Sequence, residues 1–152
     1  MSLEDILPAK LHQTPLVTCA PSHSIHQVCR LMEKHNVGCV VVVEEGIPKG
    51  IVTDRDIIVR ALAKEPRLSS ADPISLVMST PLKTVHLHQG MQDAIKIMKQ
   101  SKVRRLPVVN QSGVAVGIVT FADIYTLLTH EMNDLRFIIA PKAGFEFGKL
   151  VA

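Results

Sequence analysis

Two stretches carry the residues with the most chemistry to offer, Gly50-Ile51-Val52-Thr53-Asp54-Arg55-Asp56-Ile57 and Gly117-Ile118-Val119-Thr120-Phe121-Ala122-Asp123-Ile124. In each, a β-branched run ends in a threonine, and three residues later an aspartate opens a helical pattern. A strand that turns directly into a helix leaves backbone N–H groups and the positive end of a helix dipole at the junction, a natural seat for an anion. A Thr hydroxyl there can donate to a phosphate oxygen, and a carboxylate one helical turn on can accept from both hydroxyls of a ribose. The T-x-x-D spacing is also an ordinary helix cap, and the two readings coexist: a cap that opens on a cleft still offers its hydroxyl.

Other groups add to this chemistry or drop out of it. Val103-Arg104-Arg105-Leu106-Pro107 places two guanidinium groups just before a strand. Their forked, permanent charge suits phosphate, while the plainer reading is a solvated strand edge. The corresponding place earlier in the chain holds Gly38-Cys39, without that clamp, although Arg55 inside T-x-R-D can supply one phosphate contact. His86 and His88 share one face of an extended segment but have no third ligand close in sequence, so they read as surface residues and no metal is expected. No nucleophile elbow, Walker loop, zinc motif or carboxylate pair is present, and no Ser/His/Asp set can be assigned.

The elements that position these residues occur twice. Thr14-Pro15-Leu16 recurs as Thr80-Pro81-Leu82, Thr18 as Thr84, Met32 as Met98, Val42-Val43 as Val108-Val109, and, after one extra residue in the second hairpin, Gly46 as Gly113. Each unit is too small for a core of its own, so the copies must bury apolar faces against each other. In the first, Ser24-Ile25-His26-Gln27 has the form of a capping box, and Ile25, Val28, Cys29 and Met32 mark one face of a helix ending near residues 36–38. Cys39 to Val43 and Lys49 to Thr53 read as a hairpin turned at Glu44-Glu45-Gly46, and Asp54 to Lys64 as a helix with Ile57, Ile58, Ala61 and Leu62 on one face. The order β-α-β-β-α recurs, with strands over Leu106 to Val109 and Val116 to Thr120 and a closing helix from Ile124 to Met132. The chain divides into a lead-in (1–13) with apolar Leu3, Ile6, Leu7 and Leu11, a first repeat (14–66), a linker (67–79), a second repeat (80–133) and an apolar C-terminal extension (134–152).

Composition bounds the function. Of 152 residues, 47% are hydrophobic and 20% charged, which is globular rather than disordered or coiled-coil. Aromatics are 3%, with no Trp, and the net charge is +3, so base-stacking platforms and long basic runs are both missing and nucleic acid is not the expected partner. No apolar run is long enough to cross a bilayer, and the N-terminus does not read as a signal peptide; a cytoplasmic protein is expected. Cys19, Cys29 and Cys39 follow no C-x-x-C spacing, and two of them stand where the other repeat has Val85 and Ile95, as small buried hydrophobes would.

Two β-α-β-β-α units, each ending G-I-V-T-x-x-D-I, with an R-x-P-V-V strand, resemble paired CBS domains, also called a Bateman module; the resemblance covers residues 12 to 130. It implies an α/β (α+β) fold of two tandem CBS repeats related by a pseudo-two-fold axis and packed sheet to sheet. It also implies a non-catalytic, regulatory module, of the energy-sensing kind, that binds an adenosine-containing ligand (AMP, ADP, ATP, NAD or S-adenosylmethionine) in clefts between the repeats. By this resemblance the second-repeat site comprises Thr84, Val85, Arg104, Arg105, Leu106, Pro107, Thr120 and Asp123. The first-repeat site comprises Thr18, Cys19, Cys39, Val40, Thr53, Arg55 and Asp56. The adenine edge would read backbone groups near Thr84-Val85 and Leu106-Pro107, or Thr18-Cys19 and Val40-Val41, with side chains of both repeats closing each pocket. A homodimer and a regulated partner protein are implied, and no catalytic cofactor. The alternatives are a structural dimerisation module with empty clefts and, more remotely, an enzyme.

Overall fold

The structure, a computed structural model, describes residues 2–5 and 15–139. A short extended stretch, Thr18–Cys19 (β1), leads into the helix Ile25–His35 (α1). The Ser24 hydroxyl accepts from the Gln27 N–H at 3.1 Å, and the Gln27 side chain accepts from the Ser24 N–H at 2.8 Å. This reciprocal pair satisfies two N–H groups that have no helical partner. Ile25, Val28 and Met32 are buried along one face, and Asn36 ends the helix in the left-handed region. Cys39–Glu44 (β2) and Ile47–Thr53 (β3) form an antiparallel hairpin, with β1 parallel to β2 on its other side. Both central turn residues have positive φ, 51° at Glu45 and 80° at Gly46, the twist that lets a two-residue turn follow its strands.

Thr53 passes the chain straight into Asp54–Ile57 (α2), which widens into a π-helical turn over Ile58–Leu62. The apolar spacing predicts a single helix to Lys64 with Ile58 and Leu62 on its buried face. Instead the Ala63 N–H reaches the Ile58 carbonyl at 2.8 Å, and the wider turn buries Ile57 and Ala61 while leaving Ile58, Val59 and Leu62 exposed.

The second repeat copies this order in Val85–His86 (β4), Met91–Ser101 (α3), Arg105–Val109 (β5), Ala115–Thr120 (β6) and Phe121–Ile139 (α4). Its sheet has the order β4-β5-β6 with the same polarities, and both hairpins carry a register shift at the matching place, Val42/Val43 and Val108/Val109. The extra turn residue is absorbed by Asn110, whose Oδ1 accepts from the Ser112 and Val114 N–H groups, each at 3.0 Å. The hairpins meet each other: the Gly46 carbonyl accepts from the Ala115 N–H at 3.0 Å, and a Cβ at Gly46 would lie 3.1 Å from Val114. The result is a mixed α+β chain of two three-stranded sheets in pseudo-symmetric repeats.

Each repeat's core is completed by a segment that precedes the other repeat. Leu3 is fully buried in the second core, with its N–H on the Gln89 carbonyl at 2.9 Å. A 3₁₀ turn, Ile74–Leu76, together with Val77, closes the first core: Ile74 and Val77 are fully buried, and the Ile74 N–H donates to the His23 carbonyl at 2.8 Å. Of the other lead-in residues singled out, Ile6, Leu7 and Leu11 lie outside the described residues, as does the C-terminal extension past Ile139. The start of that extension continues α4 beyond Met132, where the apolar pattern predicts the helix to end.

Candidate functional site

The site begins at the two strand-to-helix junctions. At the first, the Thr53 N–H donates to Asp56 Oδ2 at 2.9 Å and the Asp56 N–H to Thr53 Oγ1 at 3.1 Å. At the second, the Thr120 N–H donates to Asp123 Oδ2 at 2.7 Å and the Asp123 N–H to Thr120 Oγ1 at 3.2 Å. Three further junction amides are also engaged: Asp54 N–H on the Gly38 carbonyl at 3.1 Å, Arg55 N–H on Asp54 Oδ1 at 2.8 Å, and Phe121 N–H on the Arg104 carbonyl at 2.8 Å. The expectation that these junctions offer open N–H groups to an anion is therefore not met at the first junction, and at the second only the Ala122 N–H is left for it. Capping has consumed most of the donors, and a phosphate must be held chiefly by side chains.

The junctions also differ in their hydroxyls. Thr120 Oγ1 donates to Asp123 Oδ2, whereas the Thr53 hydroxyl, accepting from Asp56, keeps a proton to give. Asp56 Oδ1 faces the Arg60 guanidinium at 3.7 Å, and Arg60 in turn donates to the Val77 carbonyl at 2.9 Å.

Two hollows open between the repeats, and each is assembled crosswise. Cleft A, about 370 Å³, takes Thr53, Asp56 and Ile51 from the first repeat. From the second it takes Lys83, Arg104 and Arg105, with Leu82 and Val103 adding to an apolar wall. The Ser79 N–H donates to the Ile51 carbonyl at 2.8 Å, an isolated bridge that joins Ser79 to the edge of β3 four residues before Lys83. Cleft B, about 270 Å³, reverses the contributions: Thr120 and Ile118 come from the second repeat, facing Leu16, Val37, Gly38 and Cys39 of the first. Every one of these residues stands where the other cleft has its repeat counterpart. Arg105 lines both hollows.

This arrangement regroups the residues expected from the sequence. Arg104 lines the cleft of Thr53 and Asp56, although its carbonyl holds the second junction; Cys39 lines the cleft of Thr120, although it pairs with Thr53 across β2 and β3; Asp123 lines neither cleft. The reason is the crossover: each junction lies at one edge of its own sheet and looks across the interface at the start of the other repeat's central strand. Arg55 is exposed and outside the lining of either cleft. Of the residues expected to offer backbone groups to the adenine edge, most have side chains that are buried beneath the clefts. Strand alternation turns Val85, Leu106 and Val40, fully buried, and Cys19, 4% exposed, into the cores, while Pro107 is buried on the opposite face of β5. Thr18 and Thr84 line neither cleft, while Val41 does line cleft B.

Both halves of the chain match the CBS domain family model, over residues 3–62 and 74–130. The chain belongs to the CBS domain family. It is 40% identical over 111 residues to the CBS domain-containing protein YhcV of Bacillus subtilis, an alignment spanning 73% of this chain and 77% of that protein. Among solved CBS structures, the CBS domain pair of protein MJ0100, in complex with 5′-methylthioadenosine and S-adenosyl-L-methionine, is 27% identical with a TM-score of 0.71, covering 86% of this chain and 98% of that one. The CBS domain protein PAE2072 of Pyrobaculum aerophilum, complexed with AMP, is 26% identical with a TM-score of 0.68, covering 81% and 89%.

Lys83, in the wall of cleft A, is the residue that sequence reasoning passed over. The signal lies in the repeat itself: Thr80-Pro81-Leu82 matches Thr14-Pro15-Leu16, and the next position is Lys83 in one CBS repeat and Val17 in the other. Among the described residues no three His, Cys, Asp or Glu side chains gather as metal ligands, and no helix is long and apolar enough to cross a membrane. Burial pushes the Cys19 thiol up to about 11 and raises that of Cys29, so both stay protonated and unreactive at neutral pH.

Proposed function

We propose that this chain is a non-catalytic regulatory module that binds an adenosine-containing ligand, of the AMP, ADP, ATP or NAD type, between its two repeats. The observation that carries this reading is the make-up of cleft A. Lys83, Arg104 and Arg105 stand at a hollow that is also lined by three hydroxyl-bearing residues, Thr53, Ser79 and Ser101, and by one carboxylate, Asp56. No ion pair occupies those three cations among the described residues. Such a set suits an anion joined to a vicinal diol: cations and the Thr53 hydroxyl for phosphate, Asp56 for the ribose hydroxyls, and the wall of Ile51, Leu82 and Val103 for a purine. The AMP complex of the Pyrobaculum relative and the S-adenosyl-L-methionine complex of MJ0100 support the same ligand class.

The partner that reads occupancy would include a second copy of this chain. Phe121, Tyr125, Leu128, Met132 and Leu135 are exposed large apolar residues spaced alternately four and three apart along α4. That spacing makes one stripe suited to packing against another helix. A ligand can shift such an assembly only by as much as its affinity differs between two arrangements.

The test is a thermal-shift and calorimetric series with AMP, ADP, ATP, NAD and S-adenosylmethionine on the full chain. At least one is expected to raise Tm in a saturable way, with the gain lost in Asp56→Ala. No stabilisation by any of them, in a chain that still forms dimers, would instead favour a structural dimerisation module.

A further inference from the structure

The two clefts do not have equal charge, and the cation they have in common is a single side chain. Cleft A has Lys83 and Arg104 to itself, whereas in cleft B the matching positions hold Val17 and Gly38. Arg105 lines both. Its place in the ladder explains the double reach: Arg105 pairs directly with Thr120 across β5 and β6, so its Cα lies beside the cleft B threonine, while its neighbour Arg104 faces cleft A. The corresponding residue of the first repeat, Cys39, pairs with Thr53 in the same way but carries no charge and lines only cleft B. The pseudo-symmetry therefore supplies two anion-sized hollows and one guanidinium between them. Among the described residues cleft B has no other permanent cation, and His35 is its remaining titratable nitrogen side chain.

From this we infer that Arg105 couples the two clefts antagonistically for phosphate-bearing ligands. This rests on the proposed ligand class and adds a regulation to it. A phosphate in cleft A recruits Arg105 along with Lys83 and Arg104, and withdraws it from cleft B. A second phosphorylated ligand then meets cleft B without its cation. Charge-assisted hydrogen bonds are the strong ones, so removing one weakens the second binding event by about tenfold or more. By linkage the effect is mutual, with cleft B occupancy weakening cleft A by the same factor. A ligand without phosphate does not draw on Arg105 and fills each cleft independently. The module would thus report the charge state of its ligands through how many it holds.

The experiment is an NMR titration of the full chain with AMP and, separately, with adenosine as the phosphate-free probe. The Ser79 amide reports on cleft A and the Gly38 amide on cleft B. In the unaltered chain Ser79 responds to AMP first, and Gly38 at a concentration about tenfold higher or more. Disabling cleft A with the exposed pair Lys83→Ala and Arg104→Ala should lower the AMP midpoint at Gly38 about tenfold, because Arg105 is released to cleft B. Adding Arg105→Ala should abolish that gain, and the adenosine midpoint at Gly38 should be the same in all three chains. An AMP midpoint at Gly38 that stays put when cleft A is disabled, while both amides still respond to ligand, overturns the coupling alone. Silence at both amides with both probes removes the ligand class as well as the coupling.

Discussion

Thr53 and Asp56 hold each other in a closed pair, amide to carboxylate at 2.9 Å and amide to hydroxyl at 3.1 Å, at the lip of cleft A. The helix cap and the proposed ligand contacts therefore share the same atoms. Thr53→Ala should lower stability by about 1 kcal/mol through the lost cap, and weaken AMP binding further than that loss explains. Ser24→Ala removes an equivalent cap on α1, away from the lining of either cleft, and should cost about the same stability with unchanged AMP affinity. Chemical denaturation and calorimetry on the two variants separate the effects; equal AMP affinities would show that Thr53 is only a cap.

Leu3 and Ile74 are each fully buried in the core of the repeat they do not precede. Leu3→Ala and Ile74→Ala should each cost about 2–5 kcal/mol, the range for truncating a buried aliphatic side chain. Urea denaturation of each variant measures this, and a loss below about 0.5 kcal/mol at Leu3 would mean that the N-terminal turn is not part of the second core.

Tyr125 is 63% exposed in the middle of the apolar stripe on α4. Tyr125→Glu should leave Tm of the isolated chain nearly unchanged but shift a dimer to a monomer in sedimentation velocity. An unaltered chain that sediments as a monomer at every concentration would contradict pairing through this stripe.

The fold was legible because periodicity and caps are local. The Ser24/Gln27 box, the valine-rich central strands and the duplicated hairpins all formed where the residue pattern placed them. The T-x-x-D pairs were legible for the same reason. The partner each pair faces was not. Residues alike in sequence suggested that Arg104 and Thr120 serve one site, yet the repeats pack so that Arg104 faces Thr53, and no local pattern encodes that crossing. The π-turn at Ile58–Leu62 escaped notice likewise, since residues 58 and 62 carry apolar side chains that helical periodicity assigns to a core. Ile74 and Val77 sit among Pro, Ser and Asp residues that read as a linker, although their burial depends on a gap in the first repeat that only tertiary packing reveals.

Burial raises the Cys19 thiol from the ordinary 9.0 to about 11. A group whose folded-state pKa lies above its unfolded value favours the fold while protonated, so its contribution is complete below pH 9 and is lost as the pH climbs toward 11. The loss is at most about 3 kcal/mol. Denaturation midpoints of the unaltered chain and of Cys19→Val, followed across this window, should diverge, with the variant declining less; parallel curves would mean that the thiol does not govern alkaline stability.

The central claim is that residues from both repeats grip one ligand in cleft A, and a crystal structure of the chain grown with AMP tests it most directly. The predicted result is a ribose within hydrogen-bonding distance of Asp56, a phosphate among Lys83, Arg104 and Arg105, and the purine against Ile51, Leu82 and Val103. Density for AMP elsewhere on the chain, with cleft A holding only solvent at saturating ligand, would contradict it.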